Sequence, residues 1–444
     1  ISEETHGHGR AEHIERTSPN VMLMQNATYS TCPPEQNPTW KLQAKQIEIN
    51  QDTGRGVTKG TKLYIKNTPV LAVPYFNFPI DDRRTTGLLT PSFGFTNDGG
   101  LELAAPVYLN LAPNYDATVT PRYIGNRGLM AEGEFRYLTE NFGGGRIWGG
   151  YLPSDKDYND EDRKDLHYLH NWKIDDQWST NLEYNYVSDK DFFTDLDNDP
   201  NTRTELNQRR AWQLNYGNGI PGLKAQLRVE DFQTIDPDLA DIDRPYARLP
   251  QLLVNYTKGD VQGLEFEFNN DTAYFKKNIR DFENQAEPNG TRIFNEMALR
   301  YNLKQPWGFV VPEVSVRSLN NFYDQDTVEN ANFRSNSEDK SVVVPQFTLD
   351  TGLTFEREGK YLQTLSPRAF YAYAPHQNQD DYPNFDSTAA SLNYDQLFNP
   401  KRFYGHDRLE DNNFLSLGLS YSLFGTTGLE KLRTSIGQSF YFDD

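Results

Sequence analysis

The sequence predicts an all-β protein made mainly of a large antiparallel transmembrane β-barrel. Apolar and polar residues alternate with period two from about residue 115 to the end, the pattern of strands with one wet face. Aromatic residues make up 13% of the chain and hydrophobic residues only 36%, as expected for a wet barrel interior and aromatic girdles at both membrane interfaces. No apolar run approaches the length of a membrane-spanning helix.

The charge balance excludes one class of function. Lys+Arg 44 against Asp+Glu 63 gives a net charge of −19, whereas contact with a phosphate backbone requires clustered positive charge. We therefore expect no nucleic-acid partner. A disordered chain is also disfavoured, because disordered segments contain few aromatic residues and this chain has 26 Tyr and 27 Phe.

Residues 1–66 differ from the rest of the chain. Two short alternating segments, 40–49 and 62–66, flank a turn at 52–54. This arrangement predicts a small β unit in the periplasm, ahead of the barrel. We place the domain boundary after residue 66 and assign residues 67–444 to the barrel.

The barrel strands are predicted from the alternation itself. The region after residue 70 has room for about sixteen to eighteen strands of roughly 10 residues each. The polar side chains predicted to face the lumen are Glu132, Glu134, Arg136, Glu183, Gln213, Arg228, Glu265 and Glu267. The side chains predicted to face lipid are Phe135, Tyr137, Leu182, Leu214, Leu227, Phe266, Leu417 and Leu419. A shift of one residue would reverse every assignment.

A stack of water-soluble antiparallel sheets is the alternative, because it also gives strands with one apolar face. Two features favour the membrane. The strand segments tend to begin or end in Tyr, Trp or Phe, as interfacial girdles do. The loops alternate between short turns such as 143–145 and long acidic segments such as 154–165.

Prolines are concentrated at the start of the predicted barrel. They are Pro69, Pro74, Pro79, Pro91 and Pro106. A proline removes a ladder hydrogen bond, so this number does not suit ordinary central strands. They mark either a weakly paired seam or simply turns and sheet edges.

Motifs for covalent or metal chemistry are missing from the sequence. It contains no Gly-x-Ser-x-Gly elbow and no His-Glu-x-x-His motif, and its 7 histidines define no triad. We predict no enzymatic activity, no cofactor and no metal. The single Cys32 cannot pair within this chain; in an exported protein an odd cysteine suggests a partner outside it, and the alternative is a buried free thiol.

The segment 79–91, PIDDRRTTGLLTP, resembles the region that opens the barrel in the family of LPS-assembly proteins LptD, also called OstA or Imp. NLAPNYDAT at 110–118, FRYL at 135–138 and YLPSD at 151–155 follow in the order of that family. Beyond residue 160 the resemblance is looser, through PQF at 345–347, LSPRA at 365–369 and YGHDR at 404–408.

The resemblance implies an outer-membrane translocon for lipopolysaccharide (LPS). In this family a periplasmic β-jellyroll joins a bridge to which LptA belongs, the lipoprotein LptE plugs the barrel, and the barrel opens sideways between its first and last strands. Residues 1–66 would then be the end of the jellyroll, and the barrel would be incomplete at its carboxyl end. A porin or ligand-gated importer is the runner-up, and an outer-membrane hydrolase is a third reading.

Particular residues acquire roles from the same resemblance. Pro79 and Pro91 match prolines in the first barrel strand and Pro106 matches one in the second, where they would weaken a lateral gate. Cys32 would form a disulfide that joins jellyroll and barrel, with a cysteine beyond residue 444, in the oxidising periplasm.

Overall fold

A computed structural model describes residues 8–30, 39–66, 68–81, 83–96, 99–197, 205–277, 288–324, 339–380 and 382–442. Cys32 lies outside these residues, so its disulfide stays a prediction. Strands dominate the described chain, and the α-helix that it contains, α1, is Phe192–Leu196. The chain divides into two compact units, Ile1–Leu138 with Arg146–Asp165 and Thr139–Gly145 with Leu166–Asp444.

The first unit begins with a six-stranded antiparallel sheet. Its strands are β1 (His8–Arg10), β2 (His13–Ser18), β3 (Val21–Ser30), β4 (Trp40–Asn50), β5 (Arg55–Ile65) and β6 (Thr68–Pro79). Strands β3 to β6 pair in chain order, and β1 and β2 both pair with β3. Ala27, Ala44 and Ile47 form a small core on this sheet.

The first sheet extends beyond the predicted boundary at residue 66. Strand β6 pairs with β5 as far as Pro79, which lies opposite Arg55. The structure therefore corrects two predictions: residues 68–79 belong to the first sheet, and Pro79 ends its last strand instead of lying in the first barrel strand. The physical reason is that β6 is an edge strand, where prolines at 69, 74 and 79 are tolerated.

A second set of strands follows in the first unit. They are β7 (Gly87–Leu88), β8 (Ser92–Thr96), β9 (Gly100–Ala104), β10 (Val107–Ala112), β11 (Tyr115–Ile124) and β12 (Gly128–Leu138). Strands β13 (Gly144–Asp155) and β14 (Glu161–Lys173) contribute residues to both units. Strand β8 pairs with β9, β7 with β10, and both β9 and β10 with β11.

The second unit is a succession of long antiparallel strands. They are β15 (Trp178–Val187), β16 (Asn207–Tyr216), β17 (Leu223–Thr234), β18 (Ala247–Val261), β19 (Leu264–Lys276), β20 (Gly290–Tyr301), β21 (Leu303–Gln305), β22 (Gly308–Tyr323), β23 (Lys340–Leu353), β24 (Phe355–Arg357), β25 (Leu362–Ala374), β26 (Thr388–Ala389), β27 (Phe403–Tyr404), β28 (Asn412–Phe424) and β29 (Glu430–Tyr441). The long strands pair in chain order, and the short strands β26 and β27 pair with each other.

The two faces of these strands have opposite character. On the apolar face, Phe266 is 37% exposed and Met297 54% exposed, whereas Asp271 and Arg292 on the polar face are 5% and 0% exposed. A soluble sheet does the reverse, because its apolar face forms the core. The sandwich alternative is therefore disfavoured. Within the described ranges, no helix has both the length and the hydropathy that crossing a membrane requires.

Candidate functional site

A long segment between β25 and β28, residues 375–411, folds against the polar face of the second unit. It contains β26, β27 and a 3-10 turn at Asp395–Phe398. Phe385 stacks on Phe275 of β19 at 4.5 Å between ring centroids. His406 stacks on Phe294 of β20 at 4.0 Å. The segment thus packs apolar side chains against buried apolar residues that the strands place among the polar ones of this face.

A buried guanidinium joins this segment to the strands. Arg292 of β20 donates to Asp386 at 2.5 Å, to Asp407 at 2.6 Å and to Asp271 of β19 at 2.9 Å. Asp386 also accepts from Arg248 of β18 at 3.1 Å. Asp386 and Asp407 of the segment and Asp271 of β19 therefore share the guanidinium of Arg292. Such a shared arrangement is costly to break, because each remaining charge would stay buried without a partner.

The two aspartates of the segment respond differently to this environment. Although burial favours the neutral form, Arg292 and Arg248 hold the pKa of Asp386 below its ordinary value. Burial, together with the negative charge of Asp386, raises the pKa of Asp407 above its ordinary value. Asp407 is nevertheless well supplied with donors, since it accepts from the backbone N–H groups of Asp386 and Ser387 at 2.8 and 2.9 Å.

Two further ion pairs fix the segment to the polar face. Glu410 accepts from Arg317 of β22 at 2.8 Å, and both side chains are buried. Lys401 donates to Glu296 of β20 at 3.0 Å. The segment is therefore anchored at three places along strands β18 to β22, and none of these contacts is local in sequence.

The polar residues singled out in the sequence lie in ion-pair and hydrogen-bond clusters. Arg300 donates to both Glu265 and Glu267, at 2.9 and 2.8 Å, and to Glu313 at 2.8 Å. The other contacts are Glu132 with Arg122, Glu134 with Arg146, Arg136 with Asp116, Glu183 with Arg209, and Arg228 with Gln251. That this face lines a lumen stays a prediction.

Two neighbouring stretches of strand, β7–β8 and β9–β10, are each interrupted, and the two interruptions lie next to each other. Residues 89–91 separate β7 from β8, and residues 105–106 separate β9 from β10. Pro91 and Pro106 lie in these breaks. Leu88 pairs with Val107, the N–H of Leu89 donates to the carbonyl of Pro106 at 2.8 Å, and strand pairing resumes at Ser92, opposite Ala104. The ladder therefore has a gap where the two prolines remove donors.

A third proline lies next to this gap. Pro121 of β11 lies beside the break in the second strand, where its carbonyl accepts from the N–H of Ala105 at 3.1 Å. Sequence reasoning missed it because β11 otherwise alternates regularly. The spacing of Pro91, Pro106 and Pro121 at equal intervals along the chain was the available signal.

Two consecutive arginines connect the first sheet to the strands that follow. Arg83 donates to the carbonyls of Gln51 and Asp52 in the turn between β4 and β5, at 2.7 and 2.8 Å. Arg84 reaches the other way, to the hydroxyl of Tyr108 at 2.8 Å and to Asp116. We call residues 83–86 the arginine link.

We expect Arg84→Ala to loosen the arginine link, because the substitution removes the contacts of the guanidinium with Tyr108, Pro113 and Asp116 in the β10–β11 hairpin. Limited proteolysis of the folded full-length protein should cleave at residues 83–86 several times faster than in the wild type. Arg136→Ala is the matched control: it also removes a partner of Asp116 but leaves the link intact. Equal cleavage rates in both variants would contradict the prediction.

The described residues contain no group of His, Cys, Asp and Glu that could hold a metal ion. Where carboxylates do converge, at Asp271, Asp386 and Asp407, the guanidinium of Arg292 occupies the position between them. The site is thus built to hold a segment of chain in place.

The fold and this site define a class: an antiparallel all-β protein with two-faced strands and an ion-paired inner segment. A family model described as LPS transport system D matches residues 161–444. The chain belongs to the LptD family.

Three relatives illustrate the similarity. LPS-assembly protein LptD of Acinetobacter baumannii is 70% identical over 444 residues, covering 100% of this chain and 54% of the relative. That of Acinetobacter baylyi is 68% identical, with 100% and 54% covered, and that of Psychrobacter cryohalolentis is 40% identical, with 100% and 46% covered. The chain spans about half the length of these relatives.

Among solved structures, a bacterial polysaccharide outer membrane secretin covers 62% of this chain and 85% of its own, at 10% identity and a TM-score of 0.26. We draw nothing from a similarity of that size.

Proposed function

We propose that the protein to which this chain belongs inserts LPS into the outer leaflet of the bacterial outer membrane. The observation that carries the proposal is membership of the LptD family, with a relative that is 70% identical and named LPS-assembly protein. No covalent bond is made or broken in this process. The LPS that reaches the surface is the LPS that was delivered.

In this proposal the two-faced strands form the wall of a transmembrane barrel. The exposed apolar face supports this, since lipid would cover Phe266, Met297 and their neighbours. The polar face would then line the lumen, and residues 375–411 would lie inside it. The cost of placing Arg or Lys at the lipid midplane, about 2–4 kcal/mol each, favours this orientation over the reverse.

The lateral exit is proposed at the gap marked by Pro91, Pro106 and Pro121. At this level the strands are joined by the backbone bonds from Leu89 to Pro106 and from Ala105 to Pro121, and the prolines supply no donors of their own, so the first strands can bend apart at small cost. The first sheet would be the end of a periplasmic jellyroll that receives LPS from a bridge containing LptA. The lipoprotein LptE would plug the barrel.

Depletion of the full-length protein from its own cells tests the proposal. We expect surface LPS, measured with an antibody on intact cells, to fall and to recover with a wild-type copy, while uptake of small solutes stays unchanged. A porin would give the opposite result. Normal surface LPS with impaired uptake would overturn the translocon proposal in favour of the importer.

A further inference from the structure

A row of side-chain amides crosses the polar face of the second unit. Asn181, Asn215, Gln226, Asn255 and Asn269 come from the adjacent strands β15, β16, β17, β18 and β19. We call them the amide stripe. Asn215 donates to Asn181 at 2.9 Å, Gln226 donates to Asn215 at 2.7 Å, and Asn255 donates to Asn269 at 2.7 Å.

Four of these amides line one cavity. Asn215, Gln226, Asn255 and Asn269 form part of the wall of a space of about 840 Å³. Lys401 and His406 of the 375–411 segment line the same space. The stripe therefore faces room for a ligand, with the anchored segment beside it.

The polar face is divided into zones of different chemistry. Arg248 and Arg292 bind the 375–411 segment through ion pairs with Asp386 and Asp407, and Asp271 contacts the Nδ1 of His406 at 3.0 Å. Asn181, Asn215 and Gln226 bond to one another in one group, and Asn255 bonds to Asn269 in a second. Asn269 also donates to the carboxylates of Glu267 at 2.9 Å and Glu296 at 3.3 Å. The charges around Arg292 thus hold the protein's own chain, whereas the amides line the cavity together with charged side chains that include Lys224, Asp271 and Lys401.

An amide stripe suits hydroxyl groups. Each amide offers two N–H donors and an oxygen with two acceptor sites, and a link to the next amide uses only one of each. A sugar hydroxyl is both donor and acceptor, so it can bind at either end of such an amide. Neighbouring strands lie about 4.7–4.9 Å apart, so amides on adjacent strands present donors and acceptors at short intervals across the face. Asn255 is offset from Gln226, which pairs with Leu253, so the stripe consists of two adjoining groups.

We propose that the amide stripe binds the neutral sugars of LPS as they pass the strands β15 to β19. This deepens the proposed function and rests on it. Neutral hydrogen bonds exchange readily with water and are individually weak, so a sugar chain can move from one amide to the next. Charge-assisted contacts are stronger and would hold a phosphorylated ligand in place.

The test uses full-length protein and a soluble probe, the core oligosaccharide of LPS freed from lipid A by mild acid. Binding is measured by saturation-transfer NMR. We expect the Asn215→Leu/Asn255→Leu double variant to bind roughly tenfold more weakly, since two neutral hydrogen-bonding sites are lost. Asn295→Leu is the matched control, because Asn295 lies on the opposite face of β20 from Glu296.

If the leucine variant does not fold, Asn215→Ser/Asn255→Ser replaces it, because serine keeps the site polar but is too short to bridge two strands. Equal binding by wild type and a folded double variant would overturn the stripe proposal. Binding that disappears when the oligosaccharide is dephosphorylated would also overturn it, because lysines that line the same space, Lys173, Lys224 and Lys401, would then be the binding groups. Surface LPS that is normal after depletion of the whole protein would instead refute the proposed function, so the two failures are distinguishable.

Discussion

Arg292→Met is expected to release the 375–411 segment from the polar face. The substitution leaves Asp271, Asp386 and Asp407 close together and buried without their shared cation. Removing one partner of a buried pair typically costs about 3–5 kcal/mol. The measurement is limited proteolysis of the folded full-length protein, with cleavage within 375–411 as the readout.

Two comparisons make the Arg292 experiment specific. Arg433→Met removes an exposed cation that pairs with Glu430, and it should leave the cleavage pattern unchanged because exposed pairs contribute little. Adding Asp407→Asn to Arg292→Met should restore part of the protection, since it removes one of the uncompensated charges. Protection of 375–411 equal to that of the wild type in Arg292→Met would show that the ion cluster does not anchor the segment.

Closing the gap in the first strand pair should slow LPS export. The Pro91→Ala/Pro106→Ala double variant restores two backbone N–H donors, and each new ladder bond contributes about 0.5–1.5 kcal/mol. If the free energy of the two new bonds opposes opening of the gap, newly made LPS should appear at the cell surface roughly tenfold more slowly. Pulse labelling of LPS followed by detection on intact cells measures the rate.

Pro345→Ala is the matched control for the gate. Pro345 lies within a continuous ladder, opposite Val316 of β22, so its replacement adds a donor far from the gap along the strand order. Export at the wild-type rate in this control, together with slow export in the double variant, would assign the effect to the gap. Wild-type export in both would rule out a role for the prolines in opening.

The strands were predictable from the sequence because alternation is a local property. Phe266 and Glu267 are neighbours in the chain, and period two alone places them on opposite faces. The anchored segment was not predictable, because the contact between Arg292 and Asp407 spans 115 residues and no local sequence pattern indicates it. YGHDR at 404–408 was noted only as a family resemblance, although it contains both His406 and Asp407.

The prolines also show that the pairing of a strand was not predictable from its own sequence. Pro79 was assigned to the barrel because its neighbours in sequence resemble the family's barrel entrance, yet its pairing with Arg55 is decided by the register of β5 and β6. Pro121 was overlooked because its own strand alternates normally. The role of both prolines depends on how their strands pair, and the sequence of one strand does not specify the register of its partner.

The ion cluster around Arg292 also sets an order of events during synthesis. A chain made from its amino end completes Asp271 and Arg292 about a hundred residues before Asp386 and Asp407 exist, as the separations of 94 and 115 residues require. Until then Arg292 has only Asp271 as a partner within the cluster. The polar face therefore reaches charge balance at this point only after the 375–411 segment has packed against it, and a folding chain that stops earlier leaves Arg292 without two of its three carboxylate partners.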